Sequence, residues 1–301
     1  MFTLLCAALA AAATDGPIKV TTWSASSTAD ATAERAYEPK NLGDGKQSNA
    51  WVEGESGGGL GSWVLAEFAE AQTVAMVTVW AGNWYNTEYW GHYNRPKTLL
   101  LEFADGSTEE LTLTDEQKAQ QFKLKAPKST TSVKFRLKAI YSGKGVDTAI
   151  SEVKFYGSTA ALPTAGASSA TPDDADGNYQ AQNLVDGISD SMWCEGNKKS
   201  DGTGEWVEVR LGRSATLTGL KVRNGAGFSA DLYKQVNRAA TVTASFGDGG
   251  SETLSVKDVP FEQTVSFGSA HTTDRVKLSF TDAKKGTDYD DLCISELTPV
   301  P

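Results

Sequence analysis

The sequence contains few histidines and cysteines, little positive charge and no leucine-rich helical stretch. Its 301 residues include 2 histidines and 3 cysteines, with 28 Lys and Arg residues against 38 Asp and Glu. The net charge of −10 disfavours nucleic acid and anionic membranes as partners, because both bind clustered positive charge. We find no nucleophile elbow, His-Glu-x-x-His motif or phosphate-binding loop in the chain. The sequence therefore predicts a protein that is not an enzyme.

The chain repeats itself once at a spacing of 142 residues. Residues 37–54 (YEPKNLGDGKQSNAWVEG) and 179–196 (YQAQNLVDGISDSMWCEG) share eight identities at that spacing. The match continues to Ile-Ser-Glu at 150–152 and 294–296, where small insertions have widened the spacing to 144. A period this long indicates a duplicated domain and not the short stacked units of a solenoid. We expect domains at 17–158 and 162–299, joined by a linker rich in small residues.

The first 13 residues are mostly apolar and end in small residues, as a secretory signal does, although the usual positive start is missing. The stretch is shorter than the roughly 20 apolar residues that a spanning helix needs. We therefore expect residues 1–13 to be a signal peptide and predict no transmembrane segment. The mature protein would be secreted, periplasmic or held at the cell surface.

Removal of that peptide leaves two cysteines, Cys194 and Cys293, both in the second copy. An even number of cysteines suits an oxidising compartment. Their counterparts in the first copy are Val52 and Ala149, so both positions differ together between the copies. This pattern favours a disulfide, with two buried free thiols as the alternative.

Alternation of apolar and polar residues predicts strands throughout the chain. In SVKFRLKAI (132–140), Val133, Phe135 and Leu137 face one way and lysine and arginine face the other. Asp-Gly pairs at 105–106 and 248–249 mark hairpin turns. Helix signals are weak, and TDEQKAQQ (114–121) is the best of them. Many short strands separated by such turns predict an all-β chain of sandwich type.

The repeated motif resembles that of the discoidin, or coagulation-factor 5/8 type C, domains. The resemblance rests on Asn-Leu-x-Asp-Gly at 41–45, the Trp six residues after that Gly, Asn-Arg-Pro-Lys at 94–97 and the closing Ile-Ser-Glu. The finer pattern is most similar to the variant named for the translocation domain of a secreted NAD glycohydrolase. The resemblance implies two tandem galactose-binding-like jelly-roll β-sandwiches. It does not imply NAD cleavage, because the catalytic domain would need further chain.

The resemblance also implies a structural calcium site in each copy. In the family, the Asp-Gly loop and the closing Glu hold Ca²⁺ through carboxylate, hydroxyl and carbonyl oxygens, which calcium prefers. The residues that match are Asp44, Asn49 and Glu152 in the first copy, and Asp186, Ser191 and Glu296 in the second. The alternative is that Asp44 and Asp186 only cap a turn by accepting from backbone N–H groups.

Aromatic residues concentrate in WAGNWYNTEYWGHYNRPK (80–97) of the first copy. Exposed rings stack on sugar C–H faces while polar side chains bond the hydroxyl groups. The residues we expect to contact a glycan are Trp84, Tyr85, Tyr89, Trp90, His92 and Arg95. Asn94-Arg95 recurs as Asn237-Arg238 despite divergent loops, so a structural role that braces the loop is the alternative for Arg95.

These features predict non-catalytic glycan binding by an exported tandem protein, mainly through the aromatic loop of the first copy. Its partner would be a glycan or glycoconjugate, with calcium as a structural cofactor. The alternative is a protein-interaction or scaffold module of the cell envelope, in which the aromatic loop is a binding hot spot. The sequence does not identify the sugar or the oligomeric state.

Overall fold

The protein forms two antiparallel sheets, one from each sequence copy. The structure, a computed structural model, describes residues 16–159, 162–174 and 177–301. Residues 1–13, where we predict a signal peptide, lie outside this part. The first sheet has eight strands within 17–156, and the second has seven within 164–300. The prediction of an all-β fold is confirmed, and no helix in the described ranges has the length and apolar character to cross a membrane.

The two sheets use the same element order along the chain, except that the first strand of the first sheet has no counterpart in the described part of the second. The strands of the first are β1 (Pro17–Ile18), β2 (Thr22–Ala25), β3 (Trp51–Val52), β4 (Trp63–Ala81), β5 (Arg95–Phe103), β6 (Thr108–Thr112), β7 (Gln120–Tyr141) and β8 (Ala149–Tyr156). Those of the second are β9 (Thr164–Ala167), β10 (Trp193–Cys194), β11 (Trp206–Asn224), β12 (Arg238–Phe246), β13 (Ser251–Ser255), β14 (Gln263–Lys284) and β15 (Cys293–Val300). Each copy also has a short 3-10 helix, Pro39–Gly43 or Ala181–Val185, and one α-helix, α1 (Thr87–His92) or α2 (Ala230–Gln235).

Long bent strands join the two layers of each sandwich. The start of β4 pairs with β2 and with the end of β7, whereas the end of β4 pairs with β8 and with the start of β7. The register shifts between Glu67 and Gln72, where β4 bends from one layer into the other. Residues 206–211 and 217–224, each of which has its own alternation of apolar and polar residues, are therefore halves of one strand, β11.

Residues 114–121, the best of the weak helix signals, do not form a helix. Residues 115–118 form bends, and the side chain of Gln120 bonds both the N–H and the C=O of Thr114, which closes a turn. Helix α1 instead begins after Asn86, whose side chain accepts from the backbone N–H of Tyr89. Its six residues fall in the aromatic stretch, where a helix was not predicted.

Each sandwich has its own apolar core, built by the alternating faces of its strands. Val133, Phe135 and Leu137 of β7 are almost fully buried, as are Val276, Leu278 and Phe280 of β14. The indole N–H of Trp51 donates to the Ser27 carbonyl, and Trp193 makes the same bond to Ser169. Each core therefore satisfies the polar atom of its most deeply buried ring.

Cys194 and Cys293 form a disulfide, with an S–S distance of 2.01 Å. They are paired residues of β10 and β15. Val52 and Ala149 occupy the same paired register between β3 and β8, and both are fully buried. The two copies therefore close the same edge differently, one by apolar packing and the other by a covalent bond.

Candidate functional site

Two tryptophans of the aromatic loop, Trp80 and Trp84, turn inward against the second copy. Trp80 and Trp84 pack with Ile188, whose side chain is fully buried. The Trp84 indole N–H donates to the Ala81 carbonyl at 2.8 Å, and the Trp84 backbone N–H donates to the Ser151 hydroxyl at 2.9 Å. Only 6% of Trp84 is exposed, so its ring belongs mostly to the contact between the copies.

Tyr85 is an exposed ring of the loop, with 41% of its surface accessible. The guanidinium of Arg35 lies 3.3 Å from the centre of the Tyr85 ring and also donates to the Ser48 carbonyl. Tyr89 meets the Tyr85 ring edge to face at 5.1 Å. These contacts hold Tyr85 in place while leaving part of its surface open to solvent.

Arg95 is buried and braces the base of the loop. Its guanidinium donates to both Asp115 carboxylate oxygens, at 2.8 and 2.9 Å, and to the Tyr93 carbonyl at 3.0 Å. It also lies 4.5 Å from the Trp90 ring centre. Arg238 repeats this arrangement in the second copy with Asp258 and Tyr233.

The buried guanidinium of Arg95 thus has acceptors within its own domain. This favours the structural alternative for Arg95 over direct ligand contact. His92, the last residue of α1, is exposed, and its ring centre lies 5.2 Å from the ring centre of Tyr93.

A cleft of about 360 Å³ lies between the two copies. Tyr85 and Phe228, which is 143 residues later, both line it. Phe228 is 38% exposed and directly precedes the Ser229 cap of α2, as Tyr85 precedes the Asn86 cap of α1. We call it the interdomain cleft, and its lining consists of Lys46, Gln47, Ser48, Trp84, Tyr85, Gly177, Asn178, Tyr179, Ser189, Asp190, Ser191, Met192, Phe228 and Leu232.

Two of the predicted glycan contacts, Trp84 and Tyr85, line the interdomain cleft, and so does Ser191, which was predicted as a calcium ligand. The sequence analysis missed the aromatic residues that the second copy contributes, Phe228 and Tyr179. The signal was present, because Phe228 aligns with Tyr85 once the repeat is extended through the loop. Tyr89, Trp90 and His92 are outside the residues that line the cleft.

Asp190 joins the two copies at the floor of the interdomain cleft. Its carboxylate accepts from the backbone N–H groups of Gln47 and Ser48, at 2.8 and 3.1 Å, and from the Ser48 hydroxyl. In return, the Gly45 carbonyl accepts from the N–H of Ser189 at 2.7 Å and from its hydroxyl at 2.9 Å. The Asp-Gly loops of the two copies therefore face and bond each other.

The predicted calcium ligands of the first copy come together but bond one another. Asn49 donates its amide to Asp44 at 2.6 Å, and Asp44 also accepts from the Lys46 N–H. Glu152 accepts from the Gly45 N–H at 3.2 Å. This is the turn-capping alternative, and an amide donor directed at a carboxylate does not fit a cation between them.

The second set, Asp186, Ser191 and Glu296, does not fit calcium either. Ser191 donates to both Asp186 carboxylate oxygens at 3.1 Å, and Asp186 accepts from the Ile188 N–H at 2.8 Å. The side-chain nitrogen of Lys154 donates to the carbonyls of Asp186 and Gly187, both at 2.8 Å. Within residues 16–159, 162–174 and 177–301, no three Asp, Glu, His or Cys side chains are grouped to hold a metal ion.

Comparison with known families gives a match over almost the whole chain. The NAD glycohydrolase translocation F5/8 type C domain matches residues 14–156 and again 156–299. The chain belongs to this family. Its two F5/8 type C domains are thus the two copies seen in the sequence and in the two sheets.

Solved structures similar to the F5/8 type C domains are distant. A family 32 carbohydrate-binding module of C. perfringens NanJ in complex with galactose is 15% identical, over 45% of this chain and 92% of the module, with a TM-score of 0.34. Allantoicase from Saccharomyces cerevisiae is 14% identical, over 95% of this chain and 92% of that one, with a TM-score of 0.47.

The mycobacterial arabinofuranosyltransferase AftD is 14% identical, with a TM-score of 0.36, and this chain spans 28% of its length. No curated protein matches the chain in sequence. We draw no functional argument from these distant matches.

Proposed function

We propose that the tandem F5/8 type C domains bind a glycan without turning it over, and that the interdomain cleft is the binding site. The observation that carries this proposal is the placement of Tyr85 and Phe228. One exposed aromatic ring from the same position of each domain lines a single cleft. Two such rings offer stacking surfaces for sugar C–H faces.

The remaining lining supports the same ligand class. Pockets for small ligands usually have volumes of roughly 300–1,000 Å³ and combine apolar walls with a few polar groups. The interdomain cleft, at about 360 Å³, has apolar walls from Met192 and Leu232 and polar groups from Lys46 and Asn178. This volume suits one or two sugar units better than a long chain.

The proposal keeps the aromatic loop as part of the site but changes which residues do the binding. Tyr85 keeps its role as a stacking surface. Trp84 instead packs against the second domain and holds the loop in place. Contact of Tyr89, Trp90 or His92 with a glycan stays a prediction, and these residues would meet only a ligand that extends beyond the cleft.

The proposal includes a location outside the cytoplasm. The Cys194–Cys293 disulfide supports this, because such bonds persist in oxidising compartments. Detection of the protein in the medium, the periplasm or on the surface of the producing cell checks it. Recovery only from the cytoplasm, with both thiols free, would contradict it.

A glycan array probed with residues 14–301 tests the binding function, followed by titration calorimetry with the sugars that bind. Tyr85→Ala and Phe228→Ala should each weaken binding at least about tenfold, or ~1.4 kcal/mol. Phe261→Ala is the matched control, since Phe261 is 64% exposed and is not among the residues lining the cleft. A folded protein that binds no glycan, or variants that bind as tightly as wild type, would overturn the proposal.

The second candidate function is recognition of an envelope protein by the same surface. The arginine stacked on Tyr85 favours it, because Tyr and Arg are frequent in interface hot spots. Competition separates the two functions. If free sugars block binding to cells, the glycan function is supported. If free sugars do not affect cell binding but Tyr85→Ala abolishes it, a protein partner is supported.

Turnover is tested separately. Incubation with the bound glycan, and with NAD, should give no product beyond the rate without protein. Product that forms at a rate proportional to protein concentration would contradict the non-catalytic part of the proposal.

A further inference from the structure

We propose that the Lys154 ammonium is a built-in cation, which takes the place of calcium in the second Asp-Gly loop and clamps the two domains together. This inference is independent of glycan binding. It starts from the disagreement between the calcium sites that the family resemblance implies and the contacts that the loops make.

The Lys154 side chain crosses from the first domain into the loop of the second. Its nitrogen donates to the carbonyls of Asp186 and Gly187, both at 2.8 Å, and lies 5.2 Å from the Trp80 ring centre. Only 8% of Lys154 is exposed. Two carbonyl oxygens and a ring face surround the ammonium in the way that oxygen ligands surround a cation.

Carboxyl groups from both domains face the same ammonium. Burial raises the pKa of Glu152 and of Glu296, each to about 9, and the Lys154 charge opposes both shifts. Burial likewise lowers the pKa of Lys154, while Glu152, Asp186 and Glu296 oppose that shift. The ammonium therefore lies among three acidic groups, with Arg223 as a further positive neighbour of Glu296, and a divalent ion at this place would be repelled by it.

The geometry of Gly187 matches this arrangement. Its φ of +69° lies in the left-handed region, and a Cβ there would come within 3.0 Å of the Lys154 nitrogen. A side chain at position 187 would therefore strain the backbone and press on the ammonium. The glycine of the motif keeps both carbonyls open to the lysine.

The lysine contact forms with the loop of the second domain and not with that of the first, because the two copies differ at the position of Lys154. The counterpart of Lys154 in the second domain is Thr298, 144 residues later. The first loop is bonded instead by Ser189, through two contacts to the Gly45 carbonyl. Each loop thus gives its carbonyl oxygens to the other domain, and neither retains the set that calcium needs.

Thermal unfolding of residues 14–301 tests the inference, with millimolar CaCl₂ or with a chelator. Wild type should unfold at the same Tm in both conditions and show no calcium binding by titration calorimetry. Lys154→Ala should unfold at a lower Tm, and calcium should raise that Tm by about 5 °C, because removal of the ammonium leaves the carbonyl oxygens and the carboxyl groups free to bind the ion. Lys138→Ala, at an exposed strand position, should match wild type throughout.

Three results would overturn the inference. One is calcium binding by wild type near micromolar affinity, and another is a Tm of wild type that falls on chelation. The third is a Lys154→Ala protein with an unchanged Tm. If Lys154→Ala does not fold, the wild-type titration still decides whether the ammonium has replaced the metal.

Discussion

Ile188 of the second domain packs against Trp84 of the first, and both side chains are almost fully buried. The counterpart of Ile188 in the first domain is Lys46, which is exposed and lines the interdomain cleft. One position of the repeated loop has therefore become an apolar contact, and the other has stayed at the surface. This divergence places an aliphatic side chain, and not a lysine of the loop itself, against Trp80 and Trp84.

Replacement of Trp84 by alanine should destabilise the protein by about 3–5 kcal/mol, because it leaves a cavity between the domains. Tyr85→Ala should cost about 1 kcal/mol or less, since the Tyr85 ring is partly exposed. Urea unfolding of both variants measures the difference. Equal free energies of unfolding for the two variants would show that Trp84 stabilises the contact between the domains no more than Tyr85 does. Loss of glycan binding by Trp84→Ala alone would therefore not identify Trp84 as a ligand contact.

Reduction of the Cys194–Cys293 disulfide should destabilise the second domain by about 4–5 kcal/mol, because the bond closes a loop with a sequence separation of 99 residues. Unfolding in the presence and absence of a reductant measures this. The first domain has no cysteine in its described part and should not respond.

The first domain also supplies the matched control for the disulfide. The double variant Cys194→Val with Cys293→Ala reproduces the Val52–Ala149 pair of the first domain. It should lose the dependence on reductant and should be more stable than the reduced wild type, since apolar packing replaces two thiols. A double variant less stable than the reduced protein would argue against equivalent packing in the two domains.

His271 should give the protein a pH-dependent stability near neutrality. Its ring nitrogens lie 2.9 Å from Glu252 and 3.0 Å from Asp248, and these hydrogen bonds raise the pKa of His271. The folded protein therefore binds this proton more tightly than the unfolded chain. The stabilisation is fully present below the unfolded pKa of about 6.5 and is lost as the pH rises through the folded pKa.

The Tm of wild type should therefore fall more between pH 6 and 9 than the Tm of His271→Gln, by a few degrees at most, because the ion pairs are near the surface. His271→Lys is the control, because Lys128 stands at this position in the first domain and stays charged over the range. Identical pH profiles for wild type and His271→Gln would contradict this role of His271.

Local patterns were enough to predict the duplication, the all-β class and the residues of each core. Identities at a nearly constant spacing and alternation along strands such as 132–140 are patterns in the order of the residues, so they can be read without a structure. Alternation did not show that two alternating segments join into one long strand, as they do in β11 and β7. A bend keeps the alternation of each half, and only pairing with different partners reveals it.

The sequence by itself determined that this protein has two homologous domains of one family, with one aromatic-rich loop and one cysteine pair. The tertiary structure alone decided which aromatic rings are exposed and what bonds the Asp-Gly loops. Burial of Trp84, pairing of Tyr85 with Phe228 in one cleft and the reach of Lys154 into the second loop all depend on how the domains meet. These contacts join residues about 30 to 140 positions apart, and no local pattern encodes which distant surfaces come together.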